Sequence, residues 1–169
     1  MTIRKTVFAA TCLLAAICIN STSHGQSITP DARIKRQLDG LKVKYEVNES
    51  TGNFKVLFSM DNDRTQQVII KSKPATFGGY EYREVYSVAA GKPTLADYSQ
   101  ETLMTLMNMN YTNKVGYWQI DGESGAPFTL EFTVRMSASA GDDQLESLIK
   151  LCALQAEKME LKLTTQDKY

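Results

Sequence analysis

A chain of 169 residues has room for one domain with a core of useful size and none for a second catalytic domain. Its 19 basic and 19 acidic side chains balance, which disfavours nucleic acid and anionic membrane surfaces, since both reward a concentrated excess of Lys and Arg. One histidine and three cysteines leave little of the usual equipment of side-chain catalysis.

The first two dozen residues read as a secretory signal. Arg4 and Lys5 supply the positive start, and Val7 to Ile19 is an uncharged, mostly apolar run. Such a run is too short for a bilayer-spanning helix, which takes about 20 residues. Small residues at Ser23 and Gly25 place cleavage before Gln26, with a cut after Ser23 as the alternative. Residues 1–25 are therefore expected to leave as a signal peptide, with residues 26–169 as a single domain, exported to the periplasm or secreted. Ile17 stands where lipoprotein signals carry a small residue, which argues against a lipid anchor on Cys18. Cleavage removes Arg4, Lys5 and His24, leaving 17 basic against 19 acidic side chains and no histidine. No stable membrane insertion is expected after that cut. Cys12 and Cys18 leave as well, so Cys152 has no intramolecular disulfide partner.

The predicted elements begin at Thr29-Pro30-Asp31, read as N-cap, first position and acidic first turn of a helix that carries Ile34, Leu38 and Leu41 on one face and ends near Gly40. Its Arg33, Lys35 and Arg36 read as a solvated face. From Val43 the period changes to 2. Val43, Tyr45 and Val47 form one strand, Phe54 to Met60 a second and Gln67 to Ser72 a third, an antiparallel meander. Asp61-Asn62-Asp63 reads as a turn, since an EF-hand loop needs Gly at position six and this stretch has Gln66 there. Lys73 to Gly79 reads as a longer connection with a flexible Gly78-Gly79 pair, which no lysine or helix follows as a phosphate loop requires. Tyr80 to Ala89 is the fourth strand. A helix from about Leu95 or Ser99 to Tyr111 follows, with Leu95, Tyr98, Leu103, Leu106 and Met107 as its core stripe and Met104 beside it. Val115 to Ile120 and Phe128 to Met136 are strands joined by a turn over residues 121–125, and the shared parity of Phe128, Leu130, Phe132, Val134 and Met136 gives one covered face and one wet face. Asp142 to Leu163 is the last helix, with Leu145, Leu148, Ile149, Cys152, Met159 and Leu163 on one side, and Thr164 to Tyr169 is expected to fray. The order α-β-β-β-β-α-β-β-α argues an α+β fold with an antiparallel β-sheet packed by helices.

Candidate chemistry is sparse. Without histidine, Ser-His-Asp and Cys-His arrangements cannot form, and Cys152 sits on the apolar face of its helix, where a free cysteine behaves as a small hydrophobe. Glu81 with Glu84, and Asp121 with Glu123, are the carboxylate pairs at hand, and both read as solvated surface. No catalytic, cofactor or metal residue is nominated. The most suggestive group is aromatic: Phe77, Tyr80, Tyr82 and Tyr86 around Arg83, because Tyr and Arg are enriched at interface hot spots.

Three stretches carry a resemblance. Asp63-Arg64-Thr65-Gln66-Gln67-Val68 is similar to an Arg-Ser-Gln-x-Val entry into a third strand, Leu103 to Asn110 to a helix-closing pattern with Leu106, Asn108 and Asn110 before Gly116, and Leu145, Leu148 and Ala156 to a closing helix. In these the chain resembles the YbjN-like family of bacterial sensory transduction regulators, whose fold is like that of class I type III secretion chaperones. The resemblance covers nearly the whole of residues 26–169. It implies a type III secretion chaperone-like fold and an adaptor or chaperone-like binder without known chemistry, and it supplies no catalytic residue. Many relatives are cytoplasmic, whereas this chain carries an export signal. The reading is of a non-enzymatic exported domain that binds a protein or peptide partner, with a homodimer as one arrangement. The alternatives are a small carboxylate-dependent hydrolase acting on envelope glycans and a structural envelope component.

Overall fold

The computed structural model describes residues 28–122, 127–164 and 166–169. The signal-peptide reading and Glu123 lie outside the described residues. Helix α1 spans Ala32–Gly40, α2 Gln100–Thr112 and α3 Asp142–Leu163; the strands are β1 Tyr45–Val47, β2 Phe54–Ser59, β3 Thr65–Ile70, β4 Ala75–Phe77, β5 Tyr80–Lys92, β6 Tyr117–Asp121 and β7 Phe128–Ser137. They form one antiparallel sheet in the order β1-β2-β3-β5-β7-β6, with β4 attached to β5. The α+β reading holds, with one more strand than expected.

Alternation along the strands divides the sheet into two faces. Phe54, Val56, Val68, Ile70, Val85, Leu130, Phe132, Val134 and Met136 are buried on one face. Against them α3 lays Leu145, Ile149, Cys152, Ala153, Ala156 and Met159, spaced three and four residues apart and therefore on one side of the helix. Of these, Leu145, Ile149 and Met159 each contribute roughly 1.5–3 kcal/mol by burial. Ile34 and Leu38 of α1 and Leu106 of α2 join the same core. No helix covers the other face among the described residues.

The register between β3 and β5 accounts for the extra strand. Ile70 pairs with Val85, but Ala75 pairs with Tyr82, so β4 is β3 resumed after a two-residue bulge near Lys71–Pro74. Gly78 and Gly79, at φ 57° and 83°, close the hairpin. Two consecutive residues in the left-handed region demand glycine, so the pair is a tight turn and not a flexible connection.

Other differences have local causes. Asp31, not Thr29, caps α1: its extended backbone lets the carboxylate accept from Arg33 N. Leu95 forms part of a short 3-10 turn and is exposed, and Met104 and Met107 are 51% and 66% exposed. The core stripe of α2 is instead Leu103, Leu106 and Met109, with Tyr98 preceding it. Nor do Gln166 to Tyr169 fray: Lys168 N and Tyr169 N donate to Glu160 Oε1 at 2.9 and 3.2 Å. Cys152 is fully buried as expected, and burial pushes its thiol up to about 12.

Candidate functional site

The hairpin register sets Phe77 opposite Tyr80 and places Tyr82 two residues further along the same face. Phe77 and Tyr80 are 81% and 70% exposed, Tyr82 is 37% exposed, and Tyr86 is half-buried. Strand alternation sends Arg83 to the other face, where it is fully buried. The sequence grouped Arg83 with these aromatics, and parity separates it from them. Its Nη1 donates to the carbonyls of Lys71 and Ser72 in the bulge, and its Nη2 to Asp31 Oδ2. Asp31 N in turn donates to Ser72 Oγ at 2.6 Å. Arg83 thus ties the bulge to the N-cap of α1 and acts as a scaffold for the hairpin.

The uncovered face continues from the hairpin as a ladder of rings and ions. Glu84 accepts from Lys71 Nζ at 2.6 Å and from Arg135 Nε at 3.0 Å. Lys71 Nζ lies 5.8 Å from the Tyr86 ring centroid, and the Arg135 guanidinium 5.2 Å from that of Tyr117, within cation–π range. Burial alone would raise the Glu84 carboxyl, but the two cations hold it below its ordinary value. Burial, reinforced by the charges of Glu131, Asp121 and Glu84, pushes the Tyr86 phenol up to about 12. It therefore stays a neutral hydroxyl. Thr133, cross-strand neighbour of both Tyr86 and Tyr117, is fully buried, and its hydroxyl has no partner among the described residues.

Glu131 lies on this same face and is nearly buried. It accepts from Gln119 Nε2 at 3.2 Å and Thr129 Oγ1 at 2.9 Å, and burial raises its pKa against those two donors. Sequence reasoning missed it because Glu131 sits at a wet-face position of β7, and its enclosure by β5 and β6 is a tertiary property. The two Glu81–Glu84 carboxylates do not converge: Glu81 pairs with Arg33 at 2.6 Å, while Glu84 stays with Lys71 and Arg135.

A third group gathers where β3 begins. Arg64 Nε donates to Glu157 Oε1 at 2.6 Å and its Nη2 to Glu160 Oε2 at 3.1 Å. Gln66 Nε2 donates to Glu160 Oε2 at 2.8 Å, and Gln66 Oε1 accepts from Ser87 Oγ at 2.8 Å. Glu157, Glu160 and Asp167 bring their carboxylates within 4.8 Å of one another, but the cation they hold is the chain's own guanidinium. The Arg-Thr-Gln-Gln-Val stretch singled out in the sequence is thus a junction between β3 and the end of α3. Asn110 has an equally local role. Its amide donates to Trp118 O at 2.9 Å and accepts from Trp118 N at 2.6 Å, filling a backbone pair on the free edge of β6.

The arrangement offers ring surface, neutral phenols and one protonatable acid, without a paired nucleophile and base. Among the described residues no helix is long and apolar enough to cross a membrane. No protein-family model and no curated protein matches the chain. Among solved structures it is similar to the crystal structure of YbjN from E. coli, with 9% identity and a TM-score of 0.49 over 76% of this chain and 86% of that one.

Proposed function

We propose that the protein is a non-enzymatic binding module that captures a protein or peptide partner on the β4–β5 hairpin and the adjoining uncovered face, in the manner of an adaptor or chaperone. The observation that carries this reading is the hairpin tip, where two large aromatic side chains stand more than two-thirds exposed on a turn fixed by two glycines. Exposed aromatic anchors on a rigid element are what an interface hot spot requires. On the sheet face behind them Lys71 and Arg135 share the Glu84 carboxylate, so neither cation of the ladder lacks a counter-ion. Export to the periplasm or the medium belongs to the same proposal and rests on the features of residues 1–25.

The test is photo-crosslinking from a probe at exposed Thr76 of β4 in the native envelope, carried both by the otherwise unaltered chain and by the Phe77→Ala/Tyr80→Ala chain. Loss of at least tenfold in partner yield at unchanged melting temperature is expected; an unchanged yield sinks the reading. One observation favours the glycan-hydrolase alternative, the raised pKa of Glu131. Acid–base glycoside cleavage needs a second carboxyl at a set distance, whereas the hydrogen-bond partners of Glu131 are an amide and a hydroxyl.

A further inference from the structure

Strand β3 has two neighbours over only half its length. Thr65 to Ile70 all pair with β2, but only Val68 to Ile70 pair with β5. A register shift at Val88/Ala90 bends β5 away beyond that point. The amides of Thr65 and Gln67 therefore face a notch and not a strand, while Gln67 O accepts from Ser87 Oγ of β5 at 2.6 Å. Gln67 N donates to Tyr169 O at 2.8 Å, while Thr65 N and Oγ1 donate to the Asp167 carboxylate at 3.2 Å. Tyr169 lies against Gly91, where an added Cβ would stand 2.7 Å from its hydroxyl.

We infer that this notch is a peptide-binding slot, which the chain's own segment Gln166–Tyr169 fills in cis, and which takes from a partner a segment of the same kind, with a carboxylate two residues before an aromatic. The inference deepens the reading of the protein as a peptide-binding module, and rests on it, but at the end of the sheet opposite the hairpin. Capture of a peptide by exposed strand amides with seats for its side chains is a general mode of recognition; here one main-chain bond, Gln67 N to Tyr169 O, is joined by the Lys168 and Tyr169 amides, which both donate to Glu160 Oε1. Here the seats are explicit. Thr65, with Arg64 Nη2 3.8 Å from Asp167 Oδ1, holds the acid, and the missing side chain at Gly91 makes room for the ring. The segment is displaceable because Gln166, Asp167 and Lys168 remain exposed and a cavity of about 200 Å³ lies between it and Ala90, Gly91 and Lys92. The Arg64–Glu157–Glu160–Gln66 network behind it belongs to the slot, since Glu160 Oε1 accepts from the segment's Lys168 and Tyr169 amides.

The experiment titrates a fluorescein-labelled Thr-Thr-Gln-Asp-Lys-Tyr peptide into the full chain and into Asp167→Ala/Tyr169→Ala, by anisotropy. A slot open in 1–10% of molecules binds roughly 10–100-fold more weakly than one always open. The double variant is expected to bind tighter than the unaltered chain by that factor, and a peptide with alanine in place of its Asp and Tyr is expected to lose the gain. Equal affinities, or no saturable binding to a variant whose circular dichroism matches the unaltered chain, overturn the proposal. Hydrogen exchange on the unaltered chain gives an independent reading. The Gln67 amide is expected to exchange well before global unfolding and to be slowed by the peptide, and exchange only on global unfolding overturns the slot even where the variant does not fold. Hairpin crosslinking that persists while the peptide fails to bind removes the slot and leaves the adaptor reading intact. Peptide binding without hairpin crosslinking does the reverse.

Discussion

The two faces of the sheet carry ions in opposite ways. On the helix-covered face Arg83 is wholly enclosed, its charge answered by Asp31 and by two carbonyls of the bulge. On the uncovered face Glu84 meets Lys71 and Arg135, which are themselves 41% and 59% exposed. A buried charge deprived of its partner has no water to turn to, whereas an exposed one is solvated and screened. The geometry is similar and the consequence differs. Ions on the covered face hold the hairpin in place, and ions on the uncovered face pair with one another within reach of water.

Substituting the covered pair should produce the largest effect. Asp31→Asn keeps an oxygen to cap α1 but leaves Arg83 facing an uncharged amide, and urea unfolding is expected to show a loss of about 3–5 kcal/mol, as for other broken buried pairs. The pH dependence carries the same signature. The Asp31 carboxyl is held well below its ordinary 3.8, by Arg33 first and then by Arg83, against the opposing effect of burial. A carboxylate with a depressed folded pKa stabilises fully above its unfolded value, and that contribution is lost as pH falls through the folded one. Acid unfolding of the unaltered chain below pH about 4 should therefore be shallower in the variant. A loss below about 1 kcal/mol would place this pair with the exposed ones.

Glu84→Gln tests the uncovered side of the comparison. It leaves Lys71 and Arg135 without a shared anion, but both reach water, so a change of under about 1 kcal/mol is expected in the same unfolding assay. Added salt should reduce even that difference. A cost comparable to that of Asp31→Asn would mean that the uncovered face is not solvated.

Much of this division was legible in the sequence. Leu130, Phe132, Val134 and Met136 share a parity that only a one-sided sheet explains, and Leu145, Ile149 and Cys152 repeat at helical spacing; all seven are buried. What stayed hidden depends on contacts between distant residues. Three residues after Pro74 are too short a run to display alternation, so β4 appears only through its register with Tyr80–Tyr82. Met107 has the spacing of a core residue, yet α2 meets the sheet only beside β6 and its outward side is left in solvent. Asp31 and Arg83 are 52 positions apart, and neither has a local feature that marks the other. The segment after Leu163 lacks an apolar period, and it is ordered by Glu160, Thr65 and Gln67, which no periodicity connects to it.

The smallest effect concerns Glu131, which belongs to the uncovered face by parity but to the covered one by burial. Its pKa is raised, by burial first, against the donors Gln119 and Thr129. The folded state therefore binds a proton more tightly than the unfolded state does. Stability from the protonated form is fully present below the unfolded value of 4.5 and is lost as pH rises through the folded one. Glu131→Gln keeps the shape, and Gln119 can turn its amide to accept where it now donates, so the variant should lie within about 1 kcal/mol of the unaltered chain at pH 4.5. From there to pH 8 the difference is expected to move in favour of the glutamine, because only the native side chain acquires a poorly solvated charge. Paired urea curves at the two pH values measure it. A difference that moves the other way would show that the carboxylate, once ionised, is better served by its surroundings than by water, and would make Glu131 a stabilising anion of the sheet face.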